Sequence, residues 1–350
     1  MKKIALLPGD GIGKEVCYQA VKVLQKIEQI SNQKFEITES EVGGAAIEKF
    51  NDPLPEKTLE ICKNSDAILF GSVGHPKFDN FEKRPETAIL GLRKKFDLFA
   101  NLRPAQIFPG FAHISPLKKE IIGEGFSFLV VRELCSGIYF GKKGYDENSA
   151  FDEMRYFKNE VERIARVAFS LAKKSQKKLT NVDKSNVLQT SKLWRKIVEK
   201  IHQEEFSEIE IEHLYIDNAT MQILTRPKDF DVILTGNMFG DILSDEAAQI
   251  SGSIGMLPSA SLNSKNFGLF EPAGGSAPDI ADKNIANPIA QILCVAMMLE
   301  ISFDMKKEGN LIRASIEKTL KNYRTSDIWE EGIKKVGTEE MGNRICENIF

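Results

Sequence analysis

Ile4-Ala5-Leu6-Leu7-Pro8-Gly9-Asp10-Gly11-Ile12-Gly13-Lys14 is the stretch on which the reading of the fold turns. The apolar run Ile4 to Leu7 makes a short buried-type strand, and the Pro-Gly-Asp-Gly after it is turn chemistry. Val16, Ala20, Val21, Val23, Leu24 and Ile27 then recur at helical spacing. A strand that feeds a glycine turn and opens a helix is the context a dinucleotide fold needs. The spacing departs from it, because G-x-G-x-x-G starting at Gly9 asks for glycine where Lys14 stands. The segment is therefore a tight strand-to-helix turn near an active cleft, and any nicotinamide cofactor must be held elsewhere.

Working outward, the same grammar repeats. Ala67 to Phe70 is a second short apolar strand closed by Gly71, and Phe126 to Val131 is a third. Ile209, Ile211 and Leu214 roughly alternate with acids as a half-buried strand, and Val232 to Leu234 is a short buried one ended by Gly236. Asp241 to Ile250 reads as a helix and Ile289 to Ile301 as a strongly apolar one. Strands alternating with helices in this way imply an α/β fold with helices packed on a sheet. No repeat or low-complexity linker interrupts the chain, so composition alone places no domain boundary.

Length and composition narrow the function. The chain has 350 residues, 42% hydrophobic and 28% charged, with a formal charge of −3, enough for one large or two medium domains. A near-neutral balance argues against nucleic acid or an acidic membrane as partner, since both demand a concentrated cationic face. Lys173, Lys174, Lys177 and Lys178 are the local basic cluster, read as a solvated helix end. The apolar stretch Ile4 to Leu7 near the N-terminus is far too short for a signal-peptide core, and no run approaches membrane-spanning length. The five cysteines are scattered without C-x-x-C, as expected for buried thiols in a reducing compartment, which points to the cytoplasm.

Only four histidines occur, none spaced as zinc ligands, and no G-x-S-x-G elbow is present. Chemistry is sought instead among acids and arginines. On a helix, Asp241 and Asp245 share a face one turn apart, where they repel unless water or a cation separates them. With Asp217 they suit a hard ion such as Mg²⁺ or Mn²⁺; taken alone, the pair also suits a solvated helix face. Arg132 ends a buried-type strand, where solvation explains it poorly. Together with Arg93 and Arg103 it suits a substrate carrying two carboxylates, since guanidinium forks grip them in bidentate fashion; for each arginine singly, an ordinary salt bridge is the plainer account.

Several long motifs stand in order: LPGDGIG (7–13), GSVGHPK (71–77), LFANLRP (98–104), VRELCSGIYFG (131–141), FDEMRY (151–156), NVDKSNVL (181–188), IDNATMQI (216–223), GNMFGDILSDEAAQISGSIGMLPSASL (236–262) and EPAGGSAPDIADKNIANP (271–288). Together they resemble the isocitrate/isopropylmalate dehydrogenase family nearly end to end, and most closely its 3-isopropylmalate branch. The resemblance implies that family's two-domain α/β fold rather than a standard Rossmann fold. Residues 1–101 with 251–350 would form the cofactor-binding domain, and 102–250 an inserted substrate, metal and dimerisation domain. It implies a homodimer with shared active sites, Lys184 and Asp217 reaching into the partner's.

The resemblance also implies roles. Arg93, Arg103 and Arg132 would clamp the malate half of the substrate; Asp217, Asp241 and Asp245 would hold Mg²⁺ or Mn²⁺, with Asp217 also touching substrate; Tyr139 and Lys184 would be the catalytic pair. Gly74, Glu86, Gly275, Ser276, Ala277, Pro278, Asp279, Ile280 and Asn287 would face the cofactor. Asp279 accepts hydrogen bonds from ribose hydroxyls and repels a 2′-phosphate, which favours NAD over NADP. The expected reaction is oxidation and decarboxylation of 3-isopropylmalate to 4-methyl-2-oxopentanoate and CO₂, a step of leucine biosynthesis. Lys184 would take the hydroxyl proton if its neighbours lower its pKa from about 10.4, and Tyr139 would protonate carbon. Ile89, Leu90 and Val187 offer apolar contacts that suit an isopropyl group and leave a third carboxylate unpaired. A D-malate or tartrate-type dehydrogenase is the alternative substrate reading. A non-catalytic regulatory subunit is the alternative class, disfavoured because the lysine, tyrosine and aspartates are intact. His75, Gly274 and Lys14 depart from the family's common glycine, histidine and proline, which bears on cofactor affinity.

Overall fold

The computed structural model describes residues 1–108 and 110–350. The chain divides into two compact units, residues 1–98 with 253–350 and residues 99–252.

In the first unit the strands lie in the order Phe35–Glu39, Lys2–Gly9, Ala67–Ser72, Gly268–Pro272 and Pro258–Leu262. The first four run parallel and the last antiparallel. Ile4 registers with Ala67 and Leu7 with Phe70, so two short apolar runs become neighbouring central strands. Such runs read as unbroken rather than alternating because both faces of a parallel sheet are covered. The helix Gly13–Ile30 buries Val16, Ala20, Val23, Leu24 and Ile27, the 3.6-residue stripe of the sequence. The helix Ile289–Ile301 is buried through Leu299, which accounts for its apolar surface all round. Ala5, Leu7, Ile68, Phe70, Leu92 and Leu269 form a continuous core cluster; cutting Phe70 back to alanine there would cost about 3–5 kcal/mol.

In the second unit the order is Ala100–Gln106, Ser127–Glu133, Val232–Thr235, Lys178–Asp183 and Glu210–Tyr215. Ala100–Gln106 is antiparallel to its neighbour and the others are parallel. The helices Lys158–Lys174, Gln189–Glu205, Ile216–Thr225 and Asn237–Ile250 follow or connect these strands. Glu210–Tyr215 lies at the end of this order and is half exposed, as its alternation with acids requires. The lysine cluster falls where Lys158–Lys174 ends, with Lys173 paired to Glu208 at 2.7 Å.

Both units present their chemistry at the carboxyl ends of parallel strands, the usual place for ligands in open α/β sheets. Arg132 and Glu133 end one strand, Asp183 another, and Thr235 leads through Gly236 into the helix Asn237–Ile250. That helix begins four residues before Asp241, because Gly236 is still extended while Asn237 is already helical. Among the described residues no helix is long and apolar enough to cross a membrane. All five cysteines are free, and Cys17, Cys62 and Cys294 are buried.

Candidate active site

The second unit holds a dense cluster around Asp241. Arg132, with only 3% of its side chain exposed, forms an ion pair with Asp241. Its Nε and Nη2 also donate to Asn237 Oδ1 at 3.0 and 2.8 Å. Tyr139 donates its hydroxyl to Asp241 Oδ2 at 2.9 Å, and the Arg132 guanidinium lies 5.8 Å from the tyrosine ring centre. Gly240 makes room for this arginine, since a Cβ there would sit 2.6 Å from Arg132 Cγ. Arg103 is held by Asn101 Oδ1 at 2.9 Å and Ser244 Oγ at 2.8 Å, and reaches Asp245 at 3.4 Å.

Electrostatics follow from these contacts. Burial opposes ionisation of Asp241, but Arg132 and the Tyr139 hydroxyl outweigh it and hold the carboxyl below its ordinary range. Burial, followed by the hydrogen bond to Asp241, raises the Tyr139 phenol above its usual value, so it stays a proton donor at neutral pH. Glu133 is fully buried and pushed up to about 7 by desolvation, although the N–H groups of Cys135 and Ser136 and the charge of Arg163 pull the other way.

Lys184 and Asp217 form a separate ion pair, the lysine ammonium also lying 5.8 Å from the centre of the Tyr215 ring. The hydrogen bond from Lys184 lowers the Asp217 pKa. Asp183 anchors the turn before Lys184: it accepts Ser185 N at 2.8 Å and takes Arg195 in a bidentate pair at 2.9 Å. Val187 is exposed on the same turn.

Three aspartates were expected to share a cation. Within one chain Asp241 and Asp245 lie one turn apart on one helix, whereas Asp217 sits on Ile216–Thr225 with Lys184. Among the described residues no three His, Cys, Asp or Glu side chains gather closely enough to hold a metal. Asp241 and Asp245 are hard oxygen donors, one kept ionised and one exposed, and their chemistry fits Mg²⁺ or Mn²⁺.

In the first unit, Arg93 pairs with Glu271 at 3.0 Å, both largely buried. Ile89 packs partly on the core cluster while Leu90 is exposed. A cavity of about 270 Å³ is lined by Ile12, Ile254, Gly274, Ala277, Ile280 and Asn287, among others. Asn287 is fixed by donating to Asp327 at 3.0 Å and accepting from Ile289 N at 3.0 Å. Apolar walls with a few polar groups suit a flat heterocycle, and Asp279 and Glu86 are exposed. The Gly9–Gly13 turn is packed against this loop: Ile12 N donates to Ser276 O at 2.8 Å, and a Cβ on Gly11, whose φ is +54°, would collide with the Ser276 carbonyl at 1.9 Å. Gly74 links the two segments, its N–H bound to Asp10 at 2.9 Å and its carbonyl accepting from Ser276 Oγ at 2.5 Å. Pro278 lines a neighbouring polar cleft with His75 and Lys14, and Gly275 is exposed.

Arginines and a tyrosine around acidic oxygen donors in one unit, and a glycine-loop cavity in the other, are parts that suit a dehydrogenase. The sequence profile of the isocitrate/isopropylmalate dehydrogenase family matches residues 3–345, and the chain belongs to that family. It is 54% identical over 354 residues to the 3-isopropylmalate dehydrogenase of Clostridium acetobutylicum, covering 99% of each chain. It is equally 54% identical over 355 residues to the 3-isopropylmalate dehydrogenase of Aquifex aeolicus, covering 99% of this chain and 97% of that one. The crystal structure of isocitrate dehydrogenase from Methylococcus capsulatus superimposes with a TM-score of 0.89 at 33% identity, covering 100% and 99% of the two chains.

Sequence reasoning overlooked Asn237, Glu133, Asp10 and Asp327. Asp10 was visible inside the opening turn, where its carboxylate accepts the N–H groups of Gly44, Ala45 and Gly74 at 2.8–2.9 Å; the glycines at 43, 44 and 74 were the available signal. Asn237 stands directly after a strand-ending glycine, where polar residues start helices. Nothing in the sequence marks Glu133 or Asp327.

Proposed function

We propose that the chain catalyses NAD-dependent, Mg²⁺- or Mn²⁺-assisted oxidative decarboxylation of 3-isopropylmalate to 4-methyl-2-oxopentanoate and CO₂. The observation that carries this reading is the mutual contact of Arg132, Tyr139 and Asp241. A carboxylate grip, a proton donor and a metal ligand converge there within hydrogen-bond reach. The names of the relatives support the choice of substrate.

When bound, the divalent ion supplies Lewis-acid polarisation of the substrate hydroxyl and carboxylate, and NAD⁺ accepts the hydride. Arg93, Arg103 and Arg132 are assigned to the substrate carboxylates, which they hold as bidentate, charge-assisted partners. Asp217, Asp241 and Asp245 are assigned to the ion, Asp217 arriving from a second copy. Lys184 accepts the hydroxyl proton once it has left Asp217 and given up its own ammonium proton, and Tyr139, kept protonated by its surroundings, delivers a proton to the carbon that loses CO₂. Ile89, Leu90 and Val187 are assigned to the isopropyl group. Gly74, Glu86, the loop 275–280 and Asn287 are assigned to NAD, with Asp279 on a ribose. The unit 1–98 with 253–350 is accordingly the cofactor domain, and 99–252 carries substrate, metal and the dimer face.

Dimerisation fits the exposed Met221 and Leu224 on one helix and Ile242 on the adjacent one, apolar groups that a second copy would cover. The free thiols fit a reducing cytoplasm. The test is NADH formation with 3-isopropylmalate, D-malate and isocitrate, with and without EDTA. Turnover confined to 3-isopropylmalate and abolished by EDTA supports the reading, and preference for another acid overturns it.

A further inference from the structure

We infer that Asn237 is a positioning residue: its one side-chain amide fixes both the clamp arginine and the turn that carries the catalytic tyrosine. This rests on the roles given to Arg132 and Tyr139 above.

The amide is 99% buried and its hydrogen-bonding capacity is used in full. Oδ1 accepts from Arg132 Nε and Nη2 at 3.0 and 2.8 Å, while Nδ2 donates to the carbonyls of Ser136 at 2.9 Å and Leu134 at 3.3 Å. The backbone N–H of Asn237 donates to the Tyr156 hydroxyl at 2.8 Å. The turn 134–136 is thus held from its carbonyl side by Asn237 and from its N–H side by Glu133, which accepts Cys135 N at 3.0 Å and Ser136 N at 2.9 Å. Three residues after Ser136, at the end of a single 3₁₀ turn, stands Tyr139. Arg132 and Tyr139 then meet again on the carboxylate of Asp241, one helical turn after Asn237.

The geometry explains why an amide is required. Arginine has only donors to offer and the two carbonyls only lone pairs, so the residue between them must accept on one side and donate on the other. Aspartate satisfies Arg132 but turns lone pairs toward Leu134 and Ser136; alanine satisfies neither side.

This difference is the experiment. Asn237→Asp should leave KM for 3-isopropylmalate near the wild-type value and lower kcat by on the order of 10- to 100-fold, since the tyrosine turn loses its anchor while the arginine keeps one. Asn237→Ala should lower kcat similarly and raise KM by about tenfold as well. Circular dichroism and thermal melts establish the folded fraction, and rates are expressed per folded enzyme. If Asn237→Asp does not fold, Asn237→Ser, too short to span the partners, should show the combined kcat and KM loss. Wild-type kcat in Asn237→Asp, or equal KM increases in both variants, overturns the inference. Tyr139→Phe is run in parallel: full turnover there sinks the functional reading itself, whereas a slow Tyr139→Phe beside a fast Asn237→Asp sinks only the role of Asn237.

Discussion

Two ion pairs in the same unit carry opposite designs. Arg132 and Asp241 are locked among Asn237, Tyr139 and Gly240, with the arginine side chain 3% exposed. Lys184 and Asp217 meet near the surface, with the aspartate side chain 62% exposed. The pair at Arg132 is preorganised within one chain, because each nitrogen of the buried guanidinium is given a partner. The exposed pair costs the fold little and leaves oxygens of Asp217 open to a ligand or a second chain. A site of this kind separates rigidity from accessibility.

The largest expected effects fall on turnover and are common to both pairs. Tyr139→Phe and Lys184→Met should each lower kcat by about 10²–10⁴, the range for losing a general acid or base. The melting temperature of Lys184→Met should move less than that of any change at Arg132. Full turnover in either variant, measured as NADH formation, would remove that pair from the chemistry. Next in size is Arg132→Ala, which strands Asp241 and Asn237 without their cation and should cost about 3–5 kcal/mol of stability. Urea unfolding measures it, and a loss no larger than that of an exposed arginine would erase the contrast between the pairs.

The sequence carried this contrast only in part. The alternation of strands and helices was legible because buried parallel strands read as unbroken apolar runs, so Ile4 to Leu7 and Val232 to Leu234 fell inside real strands, and Ile289–Ile301 matched its helix at both ends. The end of a buried strand also made Arg132 conspicuous. Sequence did not reveal that Asn237 holds the turn before Tyr139, because its contacts reach backbone carbonyls some hundred positions away; the part of Glu133 is local, to N–H groups two and three residues on, but no residue type marks a carboxylate turned back on its own turn. Nor did the helical spacing of Asp241 and Asp245 tell a metal site from a solvated face. Arg132 and Tyr139, arriving from elsewhere in the chain, show only that Asp241 is more than a solvated residue of a helix face.

A smaller effect sharpens the buried side of the comparison. Glu133 has its pKa raised from 4.5 to about 7, chiefly by desolvation. The folded chain therefore retains a proton that the unfolded chain has released, and unfolding stability falls as pH rises between those values. The contribution is on the order of 1–3 kcal/mol. Glu133→Gln should flatten this part of the stability profile, read as urea midpoints between pH 5 and 8 on the scale where such shifts are resolved. An unchanged slope would mean that Glu133 is ionised in the folded protein and that its backbone contacts and Arg163 outweigh burial.

The smallest expected change in stability is at Asp217. The hydrogen bond from Lys184 holds its pKa below the ordinary aspartate range, so the pair contributes only above that range and is lost as pH falls through the folded value. The aspartate is solvent-exposed, so water and salt screen the contribution. Asp217→Asn should accordingly leave the melting temperature of the metal-free protein within about 2 °C of wild type at neutral pH. The same variant should need far more Mg²⁺ or Mn²⁺ for half-maximal turnover, because an amide oxygen is a weaker ligand than a carboxylate. A large fall in melting temperature would show that the surface pair braces the fold as the buried one does. A metal requirement identical to wild type would instead confine Asp217 to steering Lys184, leaving the cation to Asp241 and Asp245.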